Sequence, residues 1–214
     1  MGAVLEFREV DQIGNKEFRE ALSIYTASFP LSGRQPIAVI EKRVVTGREK
    51  MFVGCSNQQV LFMALIWPLQ NTDFVLLDYM ATMRAYRNTG IGTRFLRNIF
   101  EIIAVDKKHI IVEVEDPRYA DNKQKAQCRV EFYLRNGAKK MKSVSYILPP
   151  LSAGAPTRMI VMVLSPENMS IDELPGETVR GLFVQIFTEL YGRAMDDSLL
   201  SSFVNDVPPT VKLV

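Results

Sequence analysis

The chain has 214 residues, 47% of them hydrophobic, and a formal net charge of only +2. That is enough apolar content for one sizeable core with an extension, and too little charge to make an electrostatic case for nucleic acid. Two cysteines without CxxC spacing and a single histidine, His109, argue against a disulfide framework and against zinc, so no metal is expected. Cys55 and Cys128 both read as buried, reduced thiols. No apolar run approaches the roughly 18 residues of a membrane-spanning helix. The N-terminal segment lacks a basic region and carries Glu6 where a myristoylation site needs Ser or Thr. A soluble, cytoplasmic protein is the expectation.

In chain order, Ala3 to Val10 alternates as a first strand, and Asn15 to Phe29 reads as a helix capped by Asn15, with Phe18, Leu22, Ile24 and Tyr25 as its apolar stripe. Pro30 to Pro36 breaks that helix, and Ile37 to Val45 forms a second. Lys50–Cys55 and Gln59–Trp67 make a hairpin around Ser56-Asn57-Gln58, closed by Pro68. Asp73 to Met83 reads as a buried strand. Arg87-Asn88-Thr89-Gly90-Ile91-Gly92 is a tight glycine turn, followed by a helix with Ile91, Phe95, Leu96, Ile99 and Ile103 on one face. Ile110 to Val114 is a strand with Glu113 and Glu115 near its end. Asp121 or Asn122 caps a helix that places Ala126, Val130, Tyr133 and Leu134 on one face and stops at Gly137. Lys139–Leu148 and Arg158–Leu164 are the last two strands, joined by a proline-rich connection.

Strand, glycine turn and helix in that order make an anion site, because glycine lets the backbone approach and the first helical N–H groups point at the ligand. Arg87 and Arg94 add positive charge nearby. The turn does not fit a dinucleotide-binding βαβ unit. Three antiparallel strands after the second helix lead up to it, and Phe95 stands where the third glycine belongs, although Glu113 and Glu115 sit at a spacing that mimics a ribose-binding acid. No Gly-Lys-Ser/Thr follows, so the P-loop pattern fails.

Two motifs in sequence, Arg87-x-x-Gly90-x-Gly92 and Phe132-Tyr133-x-x-x-Gly137, resemble the GCN5-related N-acetyltransferase (GNAT) superfamily of acyl-CoA-dependent acyltransferases. The first is similar to that family's pyrophosphate loop and the second to its FYxxxGF segment. The resemblance covers roughly residues 1–164 and implies an α/β (α+β) fold: a mixed, mostly antiparallel seven-stranded sheet with a central splayed parallel strand pair and flanking helices. Residues 165–214 are then a C-terminal helical extension and tail. Ala138 replaces the aromatic that usually follows the motif glycine. Ala126 stands where an asparagine often contacts CoA, with Asn122 as a substitute. The chain reads as a divergent branch.

The implied reaction is direct attack of a primary amine on acetyl-CoA, or another acyl-CoA, through a tetrahedral intermediate. The resemblance assigns the diphosphate to backbone N–H groups of Asn88, Thr89, Gly90, Ile91, Gly92 and Thr93 with Arg87, and the pantetheine arm to the backbone of Thr82 and Met83 at the splay. An aliphatic ammonium has a pKa near 10 and must lose a proton before attack. Asp78 is implied as the base, with Glu113 and Glu115 as alternatives; Asp78 also reads as a buried carboxylate that pairs with an arginine. Tyr133 is implied as the phenol that protonates the leaving thiolate, and a backbone N–H near Met80 or Ala81 as the oxyanion donor. Phe29, Pro30 and Arg34, between the first two helices, are acceptor-pocket candidates beside Glu115, and the Pro149–Pro156 connection is another candidate wall.

The acceptor is read as a small-molecule or peptide amine. Met63, Met80 and Met83 would suit a longer acyl chain, or simply fill the core. A non-catalytic acyl-CoA-binding or assembly module is the alternative function; it would need the glycine loop but neither Tyr133 nor Asp78. Thr178 to Arg193 is amphipathic, with Val179, Leu182, Phe183, Ile186, Phe187, Leu190 and Tyr191 on one broad face. That face must be covered by the chain's own core, by substrate or by a second subunit, the last giving a homodimer through the extension. The tail around Pro208-Pro209 reads as an arm.

Overall fold

The computed structural model describes residues 4–10, 12–102, 108–152 and 154–214. Ala3 of the expected first strand, Ile103 of the expected helix face and Ala153 of the proline-rich connection lie outside the described residues. Strands are β1 Glu6–Glu9, β2 Lys50–Ser56, β3 Gln59–Pro68, β4 Phe74–Thr82, β5 His109–Glu115, β6 Lys139–Lys140, β7 Tyr146–Leu148, β8 Thr157–Leu164, β9 Glu173–Pro175 and β10 Thr210–Lys212. Helices are α1 Lys16–Ser28, α2 Ile37–Val45, α3 Ile91–Arg97, α4 Ile99–Ile102, α5 Lys123–Arg135, α6 Gly176–Gln185 and α7 Ser198–Val204.

The sheet runs in the order β1-β2-β3-β4-β5-β8-β6, with β7 also paired to β8. It is mostly antiparallel with one parallel pair, β4 and β5, and helices flank it. The expected architecture is therefore present, with eight strands among the described residues where seven were expected. The difference lies in the predicted strand 139–148. It is two short strands, because Ser143 takes φ +59° and breaks the extended run. Both pieces still pair antiparallel with β8.

By compactness the chain forms two units. The first holds Met1–Pro68, Leu77–Asp106 and Leu151–Gly154; the second holds Leu69–Leu76, Lys107–Pro150 and Ala155–Val214. The division cuts through β4 and does not fall at residue 164.

In the first unit, Asn15 caps α1 as expected: its Oδ1 accepts the Phe18 N–H at 2.8 Å. The stripe of α1 buries Phe18, Ala21, Ile24 and Tyr25 against Met51 and Val53 of β2 and Met63 and Leu65 of β3. The hairpin turn places Asn57 and Gln58 at φ +50° and +59°, as a two-residue connection between twisted strands requires. The helix after the glycine turn is shorter than its apolar period suggested. At Asn98 the N–H bonds to Phe95 O and the side chain to Arg94 O, which separates α3 from α4.

In the second unit, Asn122 caps α5, accepting the Lys125 N–H at 2.9 Å, and Gly137 ends it at φ +89°. Ala126 and Val130 are buried, Tyr133 is half-buried and Leu134 is exposed, so the expected apolar face of α5 is narrower than its sequence period. Cys128 is exposed on α5, correcting the expectation that both thiols are buried; Cys55 is buried. The amphipathic helix runs on from α6 as a π-helical turn, Ile186–Leu190. Its apolar face is filled by its own chain: Tyr146 lies 4.8, 6.1 and 5.3 Å from Phe183, Phe187 and Phe203. The tail also returns to its own chain. β10 pairs with β9, and Val214 exchanges backbone hydrogen bonds with Lys140 at 2.6 and 3.0 Å.

Gly176 is required where Pro208-Pro209 crosses the start of α6. Its N–H donates to Pro209 O at 2.7 Å, and a Cβ there would meet Pro208 O at 2.0 Å. Gly176→Ala is expected to lower unfolding free energy by about 1–3 kcal/mol, read as a reduced urea midpoint; an unchanged midpoint would mean that the tail does not press on α6.

Candidate functional site

The glycine turn begins where β4 ends. Met83 N–H donates to Leu61 O at 2.8 Å and Met83 C=O accepts from Tyr86 N at 2.8 Å, so both backbone groups of Met83 are spent within the protein. Of the Thr82–Met83 pair assigned to the CoA arm, Met83 is thus already occupied, and Thr82 C=O accepts Arg87 Nε at 3.2 Å. Arg87 Nη2 reaches Ser28 Oγ on α1 at 3.1 Å. Arg87 therefore braces the turn against α1 and β4. Thr89 Oγ1 closes the turn on Tyr86 O at 2.6 Å.

Asn88 at φ +65° and Gly90 at φ +84° tilt successive peptide units to one side. Gly90 is needed for this conformation, not for space: a Cβ there would touch nothing within 4 Å. Among the described residues, the backbone N–H groups of Asn88, Thr89, Gly90, Ile91, Gly92 and Thr93 donate to no protein acceptor. Arg94 N–H is the first to close a helical bond, on Gly90 O at 2.9 Å. Arg84, Arg87, Arg94 and Arg97 surround this row, and the stretch from Asp78 to Glu101 contains no acid between its ends. Exposed, unpaired amides in a basic loop are an anion cradle. Beside it opens a groove of about 410 Å³, lined by Ile24, Ala27 and Ser28 of α1 together with Met83, Arg84 and Arg87. Of the other methionines considered for an acyl chain, Met63 is core and Met80 is half-buried.

Asp78 sits in a buried charge cluster. Arg43 Nη1 lies 3.6 Å from Asp78 Oδ2 and 3.8 Å from Glu49 Oε2, and the three side chains are 10%, 5% and 0% exposed for Arg43, Asp78 and Glu49. The guanidinium also lies over the Trp67 ring at 5.4 Å. These separations are too long for hydrogen bonds. Taken as carboxylates, Glu49 Oε1 and Oε2 and Asp78 Oδ2 would lack donors; a proton shared between the two carboxyls supplies one. Burial first, and the Glu49 charge next, hold the Asp78 carboxyl well above the usual carboxylate range. The arginine-paired carboxylate considered from sequence is the arrangement present, and Arg43 and Glu49 were not anticipated because neither lies near Asp78 in sequence.

The segment between α1 and α2 is tied down. Arg34 Nη1 donates to Thr26 O at 2.6 Å and Phe29 O at 3.1 Å, capping the last carbonyls of α1. Phe29 packs on Tyr25 and Tyr79 with ring centroids 5.6 and 4.9 Å apart, and Pro30 is exposed. Ser152 Oγ donates to Arg34 O at 2.9 Å, so the part of the proline-rich connection that belongs to the first unit, Leu151–Gly154, meets this segment there.

In the second unit, Glu113 Oε2 accepts the Tyr191 hydroxyl at 2.6 Å, and Glu113 Oε1 is buried. Tyr191 follows the π-helical turn, whose extra residue was invisible to a 3.6-residue period. Glu115 pairs with Arg129 of α5. Tyr133 lies one turn beyond Arg129. It is half-buried, and burial pushes its phenol up to about 12, with Arg129 opposing. Its hydroxyl makes no hydrogen bond among the described residues. Among the described residues no group of three or more potential metal ligands occurs, and no helix is long and apolar enough to cross a membrane.

The mostly antiparallel sheet with its one parallel pair, β4 and β5, and flanking helices is the fold of solved GNAT acetyltransferases. A GNAT-family protein from Bacteroides thetaiotaomicron superimposes with a TM-score of 0.72 at 21% identity, over 88% of this chain and 99% of its own. An aminoglycoside 6'-N-acetyltransferase complexed with coenzyme A superimposes at 0.57 and 14% identity, over 78% and 99%. The ribosomal-protein-S18-alanine N-acetyltransferase of Escherichia coli superimposes at 0.51 and 18%, over 78% and 100%. No family model matches the chain, and no curated protein matches it in sequence.

The Asp78 cluster has a pH signature. Unfolded, an aspartate ionises near pH 4; folded, Asp78 keeps its proton to a higher pH. Its contribution is complete below about pH 4 and is lost as pH rises towards the raised value, because the unfolded state releases its proton first. Across that window the wild-type urea midpoint is expected to fall with pH, and Asp78→Asn to flatten the fall; parallel curves would refute the shared proton. Arg43→Met, which leaves a buried charge uncompensated, is expected to cost about 3–5 kcal/mol.

Proposed function

We propose that this chain is an acyl-CoA-dependent N-acyltransferase that moves an acetyl group to a primary amine. The observation that carries the reading is the row of unpaired amides from Asn88 to Thr93 at the end of β4, in a fold that solved acetyltransferases share, one of them complexed with coenzyme A. A diphosphate satisfies several adjacent N–H donors at once and matches the surrounding arginines. The Arg84–Arg87 groove and Thr82 then lie beside the arm of the same ligand.

The chemistry assigns three tasks to this chain. The amine must be neutral, and Glu113, which accepts the Tyr191 hydroxyl, is the carboxylate we assign to its proton, directly or through water, because Asp78 is enclosed and burial holds its carboxyl well above the usual range. Tetrahedral negative charge is met by a backbone N–H near Met80 or Ala81. The leaving thiolate takes its proton from Tyr133, which burial keeps neutral through the physiological range. The acceptor wall is assigned to Phe29, Pro30 and Arg34 of the first unit. We read the acceptor as a small-molecule or peptide amine, a reading compatible with neighbours whose names specify an aminoglycoside and a protein alanine.

Thiol release from acetyl-CoA across a panel of primary amines tests the reading. Tyr133→Phe and Glu113→Gln are each expected to lower kcat by about 10²- to 10⁴-fold, and Asp78→Asn by far less. Tight CoA binding with no thiol release for any amine would leave a non-catalytic acyl-CoA-binding module. Gly90→Val, strained at φ +84°, is expected to weaken CoA binding about tenfold or more, measured by calorimetry; unaltered binding would remove the cradle from the site.

A further inference from the structure

The segment between α1 and α2 is gripped from below by two buried tyrosines. The Tyr25 hydroxyl on α1 donates to Gln35 O at 3.0 Å, and Gln35 N–H donates to the Tyr79 hydroxyl on β4 at 3.2 Å. Both backbone groups of one residue are thus held by side chains from two different elements. The two rings meet edge-to-face at 4.9 Å, and both residues are buried, Tyr25 completely. The hydroxyls are also coupled to each other, and burial raises both phenols, so both keep their protons at any physiological pH.

The grip continues on either side of Gln35. Arg34 spends its guanidinium on the end of α1, and its carbonyl accepts Ser152 Oγ. Gly154 lies so close to the segment that a Cβ would meet Ser32 O at 2.4 Å. Eight residues, 29–36, with no regular structure beyond a single 3₁₀ turn, Leu31–Gly33, would ordinarily be mobile. Here successive residues are fixed by side chains from α1, β4 and the 151–154 stretch.

We infer that Tyr25 and Tyr79 are positioning residues that hold the 31–36 segment as a preformed wall for the acceptor amine. The inference rests on the acceptor assignment made for that segment above. A preformed wall contributes to acceptor affinity because the ordering cost is met on folding and not on binding. The tyrosines act through the backbone of Gln35 and leave the acyl-CoA cradle untouched. Their loss therefore weakens acceptor binding selectively.

Tyr79→Phe keeps the ring and removes the acceptor of the Gln35 N–H; Tyr25→Phe removes the donor to Gln35 O. Amide hydrogen exchange of Gln35 reads the grip without any assay of turnover. Exchange is expected to quicken about tenfold or more in Tyr79→Phe, with the thermal midpoint nearly unchanged; an unchanged rate at Gln35 overturns the grip. With the full-length enzyme, KM for the amine is expected to rise at least fivefold in either variant, while KM for acetyl-CoA and kcat stay within twofold. Faster exchange with an unaltered amine KM overturns the positioning role. A wild-type protein that releases no thiol with any amine defeats the acyltransferase reading and with it the role, while the exchange measurement still decides the grip.

Discussion

Six consecutive peptide N–H groups without acceptors among the described residues are the constraint around which the first unit is built. A folded chain seldom leaves so many donors unpaired in a row. They are tolerated because the turn is exposed and because an anion can satisfy them together. Two left-handed residues, Asn88 and Gly90, set the direction of the row, and Arg87 holds it by reaching back to Thr82 and across to Ser28. The helix that follows is short, so the cradle depends more on these local bonds than on a long helix dipole.

The rest of the first unit shows the opposite treatment of polar groups. Arg43, Glu49 and Asp78 are removed from water, and one guanidinium faces two carboxyls. Removing ions from water is expensive, and two acids on one cation would leave net negative charge in the core. A shared proton resolves this. On the proposed reading this leaves Glu113, and not Asp78, to take the amine's proton, although the family resemblance put Asp78 first. Tyr25 and Tyr79 extend the same economy to the backbone of half-buried Gln35, where side chains from two elements supply the bonds that water supplies less readily.

The second unit makes its own use of the chain beyond the sheet. The π-helical turn delivers Tyr191 to Glu113 on β5, and the tail closes over Gly176 and pairs with Lys140. A segment that looked like an appendage is therefore woven into the unit that carries β5. Its aromatic face, which from sequence alone asked for a partner, is occupied by Tyr146 and Phe203.

Local physics made much of this legible in the sequence. Asn15 before an apolar stripe, Asn122 before α5, Gly137 after it, and the Arg87-x-x-Gly90-x-Gly92 turn each act within a few residues of themselves, and each is found where it was expected. The order of strands and helices through β8 followed from the same local signals, whereas β9, α7 and β10 were not read from them. The break at Ser143, the split at Asn98 and the inserted residue of the π turn were hidden, because each departs from a regular period by a single residue. What only the tertiary structure decided was the partnership of residues distant in sequence: Arg43 with Glu49 and Asp78, Tyr191 with Glu113, and Gln35 between Tyr25 and Tyr79. Such partnerships are set by burial, which makes an unpaired polar group costly, and burial is a property of the packed chain that no single segment carries.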